Sequence, residues 1–405
     1  MILNDENSEW KVQYFKTYAT QSDNEEALKS EENIKFEHFP PALGQYYSDD
    51  ISMEDFEKIC DGKLHLIKSK KCEYYNPSIL DINYEKTIKT QLNMLMQEQM
   101  KKLHEEDPEF LTDDEKDEIN KSEFPFIKLM TLVYTKDTKD MTEDEQNEWK
   151  AYMNQFITQQ IVFGVVNMYF TMKLYQDNIY KTVFETPYNQ EEVWNKYTKD
   201  QTGICVTYDF KEVSTQMLQR VQNLYPVMYV PHVVKSDELD FKVYNLFCAS
   251  MFKVDDDVTK YDKSWAYLFA HKYTNTEYMM LDSLLEPLYT QVMTDDKIQE
   301  ILSENYLEIT DGELNYNHKK LIEALSTFLD SDEFHEKIEE KLSEVYNITP
   351  NQFDVDFMRP EAVYLGLNYP DDKVDEIKKI CQDKQIRIFK IKKDDEKGLF
   401  KAILH

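Results

Sequence analysis

EVWNKYTKDQTGICVTYDF, residues 192–210, reads as a short helix, a turn and a strand, and that succession makes the fold a mixed one. Val193, Trp194 and Tyr197 fall at i, i+1 and i+4, giving one apolar and aromatic helix face. Gly203 is expected to end the helix in the left-handed conformation, where glycine meets least steric resistance. Ile204, Val206 and Tyr208 then alternate with Cys205, Thr207 and Asp209, the period of a half-buried strand.

Strand signals also occur at 180–185 and at 226–230, with helices expected at 211–223, 237–253 and 262–273. Towards the N-terminus, WKVQYFKTY (10–18) is rich in β-formers and predicts a first strand. A short helix at about 23–30 and a strand at 34–36 follow, before Pro40 and Pro41 break the chain. Ser52 with Asp55 marks a helix start, and 64–67 a strand.

From 82 to 178 the pattern is helical. Leu92, Leu95, Met96, Met100 and Leu103 form a stripe that reads as a core face. Thr112 with Glu115, and Thr142 with Glu145, are capping-box patterns. A second helical block covers 284–306, 318–329 and 333–346. The chain ends in strand 361–367, helix 370–382, strand 386–392 and strand 399–404. The expected class is therefore α+β: a small mixed or antiparallel sheet core with large helical insertions and a C-terminal β-α-β-β unit. The expected parts are 1–80, 179–283 and 351–405 for the core, with acidic helical blocks at 81–178 and 284–350.

A chain of 405 residues, 41% hydrophobic and 13% aromatic, can bury a sizeable core. Only Arg220, Arg359 and Arg387 are arginine among 47 basic residues. The net charge of −31 argues against broad nucleic-acid or anionic-lipid binding. Acidic residues crowd 105–121, a solvated face or a protein-partner surface. Basic residues gather at 378–401, the stretch most favourable to a phosphate-bearing ligand. Five cysteines without CxxC spacing suit reduced thiols. The first residues carry no signal-peptide pattern, and the apolar run 161–170 is about half the length that crosses a bilayer. A cytoplasmic protein without membrane contact is expected.

Taken together, residues 180–210, LYPVMYV (224–230), HKYTNTEYMM (271–280), residues 361–381 and IRIFKIKK (386–393) resemble the bacterial domain-of-unknown-function family 2971 in order and spacing. The resemblance covers roughly 10–47, 180–280 and 355–405. It implies a core like that of ADP-ribosyltransferases, NAD as cofactor, and a place in bacterial or phage defence or toxin biology. Trp194 and Tyr197 keep the family's aromatic pair, while Lys196 stands where a histidine is usual and Glu185 where a serine is. Glu277 and Tyr278 match a glutamate–aromatic pair, Met279 replaces an arginine, and Lys272 matches a lysine a few residues ahead.

ADP-ribosyl transfer needs an acid for the ribose, a cation for the pyrophosphate and an aromatic wall for nicotinamide. On this resemblance Glu277 is the catalytic acid, Lys16 or Lys272 the cation, and Tyr14, Trp194 or Tyr197 the wall. Each also has a plain structural reading, as core for the aromatics and as surface for the charges. No metal is expected. His104 with Glu105, and His335 with Glu336 and Glu339, lack zinc-hydrolase spacing, and Asp354 with Asp356 is an acid pair expected by chance in so acidic a chain. Cys205 reads as core rather than nucleophile. The alternative is a non-catalytic interaction or sensor protein working through its acidic helical surfaces, and a further idea is mimicry of nucleic acid by the negative charge.

Overall fold

A computed structural model describes residues 9–21, 24–71, 82–122, 124–139, 141–185, 191–211, 221–230, 250–254, 264–310, 313–394 and 399–404. The fold is α+β. The chain forms two compact units, one from residues 1–81, 175–272 and 350–405, the other from 82–174 and 273–349.

The first unit holds two five-stranded sheets. One has the order β1 (Ala42–Tyr47), β4 (Ile204–Asp209), β12 (Ala362–Leu365), β13 (Arg387–Asp394), β14 (Leu399–Leu404). All its pairs are antiparallel except β12–β13. A parallel pair needs a long crossover, and the Asp371–Asp383 helix supplies it. The other sheet is antiparallel throughout, in the order β11 (Gln352–Asp356), β2 (Lys63–Lys68), β3 (Ile179–Phe184), β8 (Trp265–Ala270), β5 (Leu224–Pro226). The short strands β6 (Met228–Val230) and β7 (Phe252–Val254) pair with each other. Residues of both sheets share one core, in which Phe357 touches Phe184, Tyr208 and Tyr267 at centroid distances of 5.2–5.6 Å.

Five expectations are corrected here. Residues 10–18 form a helix, Glu9–Thr20, not a strand. Lys11, Tyr14 and Phe15 are buried at helical spacing while Gln13 and Lys16 are exposed, so packing on a 3.6-residue period outweighs β-propensity. The 34–36 strand lies inside the helix Glu25–Glu37, capped by Asn24. The helix expected at 262–273 is β8, buried along Trp265–Leu268 between β3 and β5; a strand covered on both faces loses the alternation that would reveal it. The end of the 237–253 helix is β7, while 231–249 and 212–220 lie outside the described residues. Gly203 is not left-handed; Asp200 and Gln201 are, at φ 49° and 60°. Gly203 is needed for closeness, since a Cβ there would lie 2.1 Å from the Tyr47 carbonyl oxygen.

The second unit is mainly helical: Tyr84–Glu106, Asp113–Lys121, Pro125–Asp137, Glu143–Asp177, Asn275–Met293, Asp296–Ser303, His318–Leu329 and Asp332–Tyr346. Both capping boxes form, with Glu115 accepting from the Thr112 amide at 2.8 Å and Glu145 from the Thr142 amide at 2.7 Å. The hairpin β9 (Leu307–Thr310) and β10 (Glu313–Tyr316) was not expected. Ile157, Ile161, Val165, Leu321, Leu325 and Leu342 belong to its core. Among the described residues no helix is long and apolar enough to cross a membrane.

Candidate functional site

β3 runs alongside β8 as far as Phe184, and the next residue, Glu185, crosses to the other sheet. Its amide and carbonyl pair with those of Gly44 in β1, both at 2.8 Å. This single bridge fixes where the two sheets meet, and it carries the Glu185 carboxylate inward, 4% exposed. A buried carboxylate requires donors. Tyr197 Oη donates to Glu185 Oε1 and Ser264 Oγ to Glu185 Oε2, both in short hydrogen bonds. Lys196 Nζ donates to Tyr197 Oη at 2.8 Å.

The Glu191–Tyr197 helix that brings Tyr197 here is pinned by aromatic contacts. Trp194, fully buried, meets the Tyr46 ring edge-on at 5.1 Å and packs with Cys205 and Ile391. Tyr46 in turn stacks on Tyr197 at 5.9 Å. Beside this stack the sheets part around a cleft of about 310 Å³, lined by Tyr46, Tyr47, His65, Lys181, Thr182 and Tyr197 among others. A chain of polar contacts spans it: Tyr47 Oη donates to Gln45 Oε1 at 2.5 Å, and Gln45 Nε2 to Thr182 Oγ1 at 2.6 Å. Burial first, then nearby thiols and acids, push the Tyr46 phenol well above its ordinary range. Burial, followed by neighbours including Tyr208 and Cys60, does the same to Tyr47. Both stay neutral hydrogen-bonding groups.

At the rim, His65 Nδ1 lies 2.9 Å from Asp354 Oδ1, the two being register partners of β2 and β11. The neighbouring partners Lys63 and Asp356 form an ion pair of 2.6 Å. The acid pair 354 and 356 thus serves cross-strand pairing with basic residues. Lys71 Nζ, also at the rim, donates to Asn351 Oδ1 at 2.8 Å. Among the described residues no cluster of three or more histidines, cysteines and acids could hold a metal ion. Cys60, Cys205 and Cys381 are buried thiols outside any disulfide.

Of the residues singled out from sequence, Trp194 and Tyr197 come together around Tyr46, and Tyr197 reaches the cleft. Tyr14 does not. It is fully buried between its own helix and the 25–37 helix, donating to Glu32 Oε1 at 3.0 Å with the Lys35 ammonium 6.0 Å from its ring centroid. Lys16 is exposed on the other face of that helix, and Lys272 is exposed in the segment after β8. Glu277 belongs to the helical unit. Its carboxylate accepts from the Thr274 amide at 2.7 Å, and its amide donates to Thr274 Oγ1 at 3.3 Å, a capping box on the 275–293 helix.

Sequence reasoning passed over Gln45, Tyr46, Tyr47 and His65 as site residues and took Glu185 only as a departure from a motif. One signal was available: an acid closing the strand IYKTVFE, straight after Val183 and Phe184, is costly to bury without a purpose. Comparison with protein-family models, with curated proteins and with solved structures finds no match.

Proposed function

We propose that the α+β unit binds the nicotinamide end of an NAD-type dinucleotide in the cleft beside β1 and β3 and transfers its ADP-ribosyl group, the activity that the resemblance to family 2971 implies. The observation that carries this reading is the tyrosine-lined cleft whose Tyr197 is fixed by buried Glu185. About 310 Å³ is at the low end of small-molecule sites, so it suits one nucleotide half rather than a whole dinucleotide. The bound dinucleotide would supply the ribosyl carbon: its bond to nicotinamide breaks, nicotinamide leaves, and the nucleophile of an acceptor or water forms the new bond to that carbon.

The chain's own residues supply placement. Tyr46 and Tyr197, stacked at 5.9 Å, offer an aromatic wall that excludes water from a nicotinamide ring. Lys71 at the rim offers a point charge to phosphate, without arginine's bidentate fork. Glu185 is a positioning residue: it holds the Tyr197 hydroxyl and so the angle of the ring. Glu277 acts in this reading as a helix cap, because its carboxylate already accepts from the Thr274 amide.

Thermal shift and nicotinamide release with NAD test this on the full chain. The parent protein is expected to melt higher with NAD, and Tyr197→Ala and Glu185→Gln to lose both the shift and the turnover. No shift at millimolar NAD removes the reading.

A second reading, a non-catalytic sensor or interaction protein of a defence or mobile-element system, draws on the helical unit. Tyr278, Met279 and Met280 are exposed side by side at 52%, 74% and 49%, more apolar surface than a lone solvent-facing residue leaves. If this reading holds, changing all three to serine abolishes capture of a partner while the melting temperature stays put.

A further inference from the structure

The helical unit contains its own cleft, of about 690 Å³, well inside the range of small-molecule sites. One side is built by the Asp113–Lys121 and Pro125–Asp137 helices, the other by the end of β10 and the start of the His318–Leu329 helix. From these features we infer a binding site for a mononucleotide, a ligand joining an aromatic base, a hydroxylated sugar and a phosphate.

Each part of that ligand meets a matching group. The rings of Phe124 and His318 pack against each other at 4.4 Å, tilted by 43°, and form a wall on which a base can stack. Asn315, also in the lining, carries the paired donor and acceptor that read the edge of a purine. Glu118 lines the cleft and can accept hydrogen bonds from sugar hydroxyls. Lys121 and Lys128 also line the cleft. Lys121 is 79% exposed and forms a loose ion pair with Asp117 at 3.8 Å. Lys128 stands 3.5 Å from Glu118. Each of these ammonium groups faces a carboxylate, so a phosphate has to draw Lys121 from Asp117 and Lys128 from Glu118. An apolar ligand would use the wall and leave the lysines idle, and inorganic phosphate would use the lysines and leave the wall idle. A nucleotide uses both.

Calorimetric titration of the full chain with adenosine monophosphate, adenosine and inorganic phosphate tests the assignment. Saturable binding of the monophosphate is expected, with adenosine weaker and phosphate without measurable binding. Lys121→Glu lies at an exposed helix end and leaves the packing alone. It is expected to weaken the monophosphate about tenfold or more and to leave adenosine unchanged. His318→Ala is expected to weaken both nucleoside-bearing probes. Tyr197→Ala, in the α+β unit, is expected to leave the monophosphate's affinity as it was, which separates this site from the cleft beside β1 and β3. The inference is overturned by no saturable monophosphate binding at millimolar concentration, by equal affinity for monophosphate and adenosine, or by affinities indifferent to Lys121→Glu and His318→Ala.

Discussion

Replacing Gly203 by alanine adds one methyl group at one of the two tightest backbone crossings described in the α+β unit, the other being Gly366. The new Cβ would sit 2.1 Å from the Tyr47 carbonyl oxygen and 2.6 Å from Thr198 Cγ2, far inside contact distance. Neither neighbour yields readily. Tyr47 O belongs to β1, in register with Ile204 of β4, and Thr198 is fully buried with its hydroxyl donating to the Trp194 carbonyl at 2.7 Å. Forcing a methyl group into a filled core costs about 1–3 kcal/mol, and more where backbone must move, so a loss of about 3 kcal/mol is expected. For a unit of this size, that lowers the melting temperature by roughly 6–12 °C.

Gly164 gives the matched control in the Glu143–Asp177 helix. The nearest atoms its Cβ would meet all belong to the side chain of Gln91, at 2.4–2.7 Å, and that chain can swing aside. Alanine favours a helix over glycine by about 0.5–1 kcal/mol, so Gly164→Ala is expected to melt at or above the parent temperature. Differential scanning calorimetry of both variants decides the matter. A Gly203→Ala protein melting within a degree of the parent would refute the reasoning.

Three further expectations follow from particular contacts. Lys68 and Asp177 form a 2.5 Å ion pair at 1% and 2% exposure. Lys68→Met strands the buried carboxylate and is expected to cost about 3–5 kcal/mol by urea unfolding, with most of it recovered in the double variant Lys68→Met, Asp177→Leu. Thr274→Ala removes a cap and is expected to cost the 275–293 helix about 1 kcal/mol, read as faster amide exchange in its first turn. Hydrogen bonds from Lys297, then Lys337, hold the Glu333 carboxyl down at about 2. With the folded value depressed, its stabilising contribution is present above the ordinary carboxylate range and disappears as pH falls through about 2. Carboxyl carbon NMR should follow that midpoint, and Lys337→Met should move it up.

Much of the fold was legible because its signals are local. Capping boxes at Thr112 and Thr142, the apolar stripe through Leu92, and the strand–helix–strand ending at 362–394 are patterns that neighbouring residues settle among themselves. What stayed hidden depends on distant partners. WKVQYFKTY carries β-formers, yet Tyr14 and Phe15 find their packing in a helix. WAYLFA has no alternation because successive residues Trp265–Leu268 are buried, so both faces of the strand are covered. β11, QFDVD, does alternate, but it is short, and its acids gain meaning only when His65 and Lys63 arrive opposite them. The candidate site was half legible for the same reason. Trp194 and Tyr197 share one helix, so sequence could pair them; Glu185, Gln45 and Ser264 meet Tyr197 or the cleft only through tertiary structure. Tyr14 carried the chemistry asked of a nicotinamide wall but not the exposure.

In the sheet, β12 lies beside β4, although in the chain they are 155 residues apart, as Thr207 and its acceptor Ala362 are. On a ribosome that emits the N-terminal part first, β1 and β4 emerge with one flank open, and the helical unit's last residue, Thr349, is released before the strand that closes that flank. An uncovered strand edge invites pairing with another chain. The newborn polypeptide should therefore lean on a holding chaperone until translation passes β12, and truncations stopping between the Asp332–Tyr346 helix and β12 should collect in inclusion bodies.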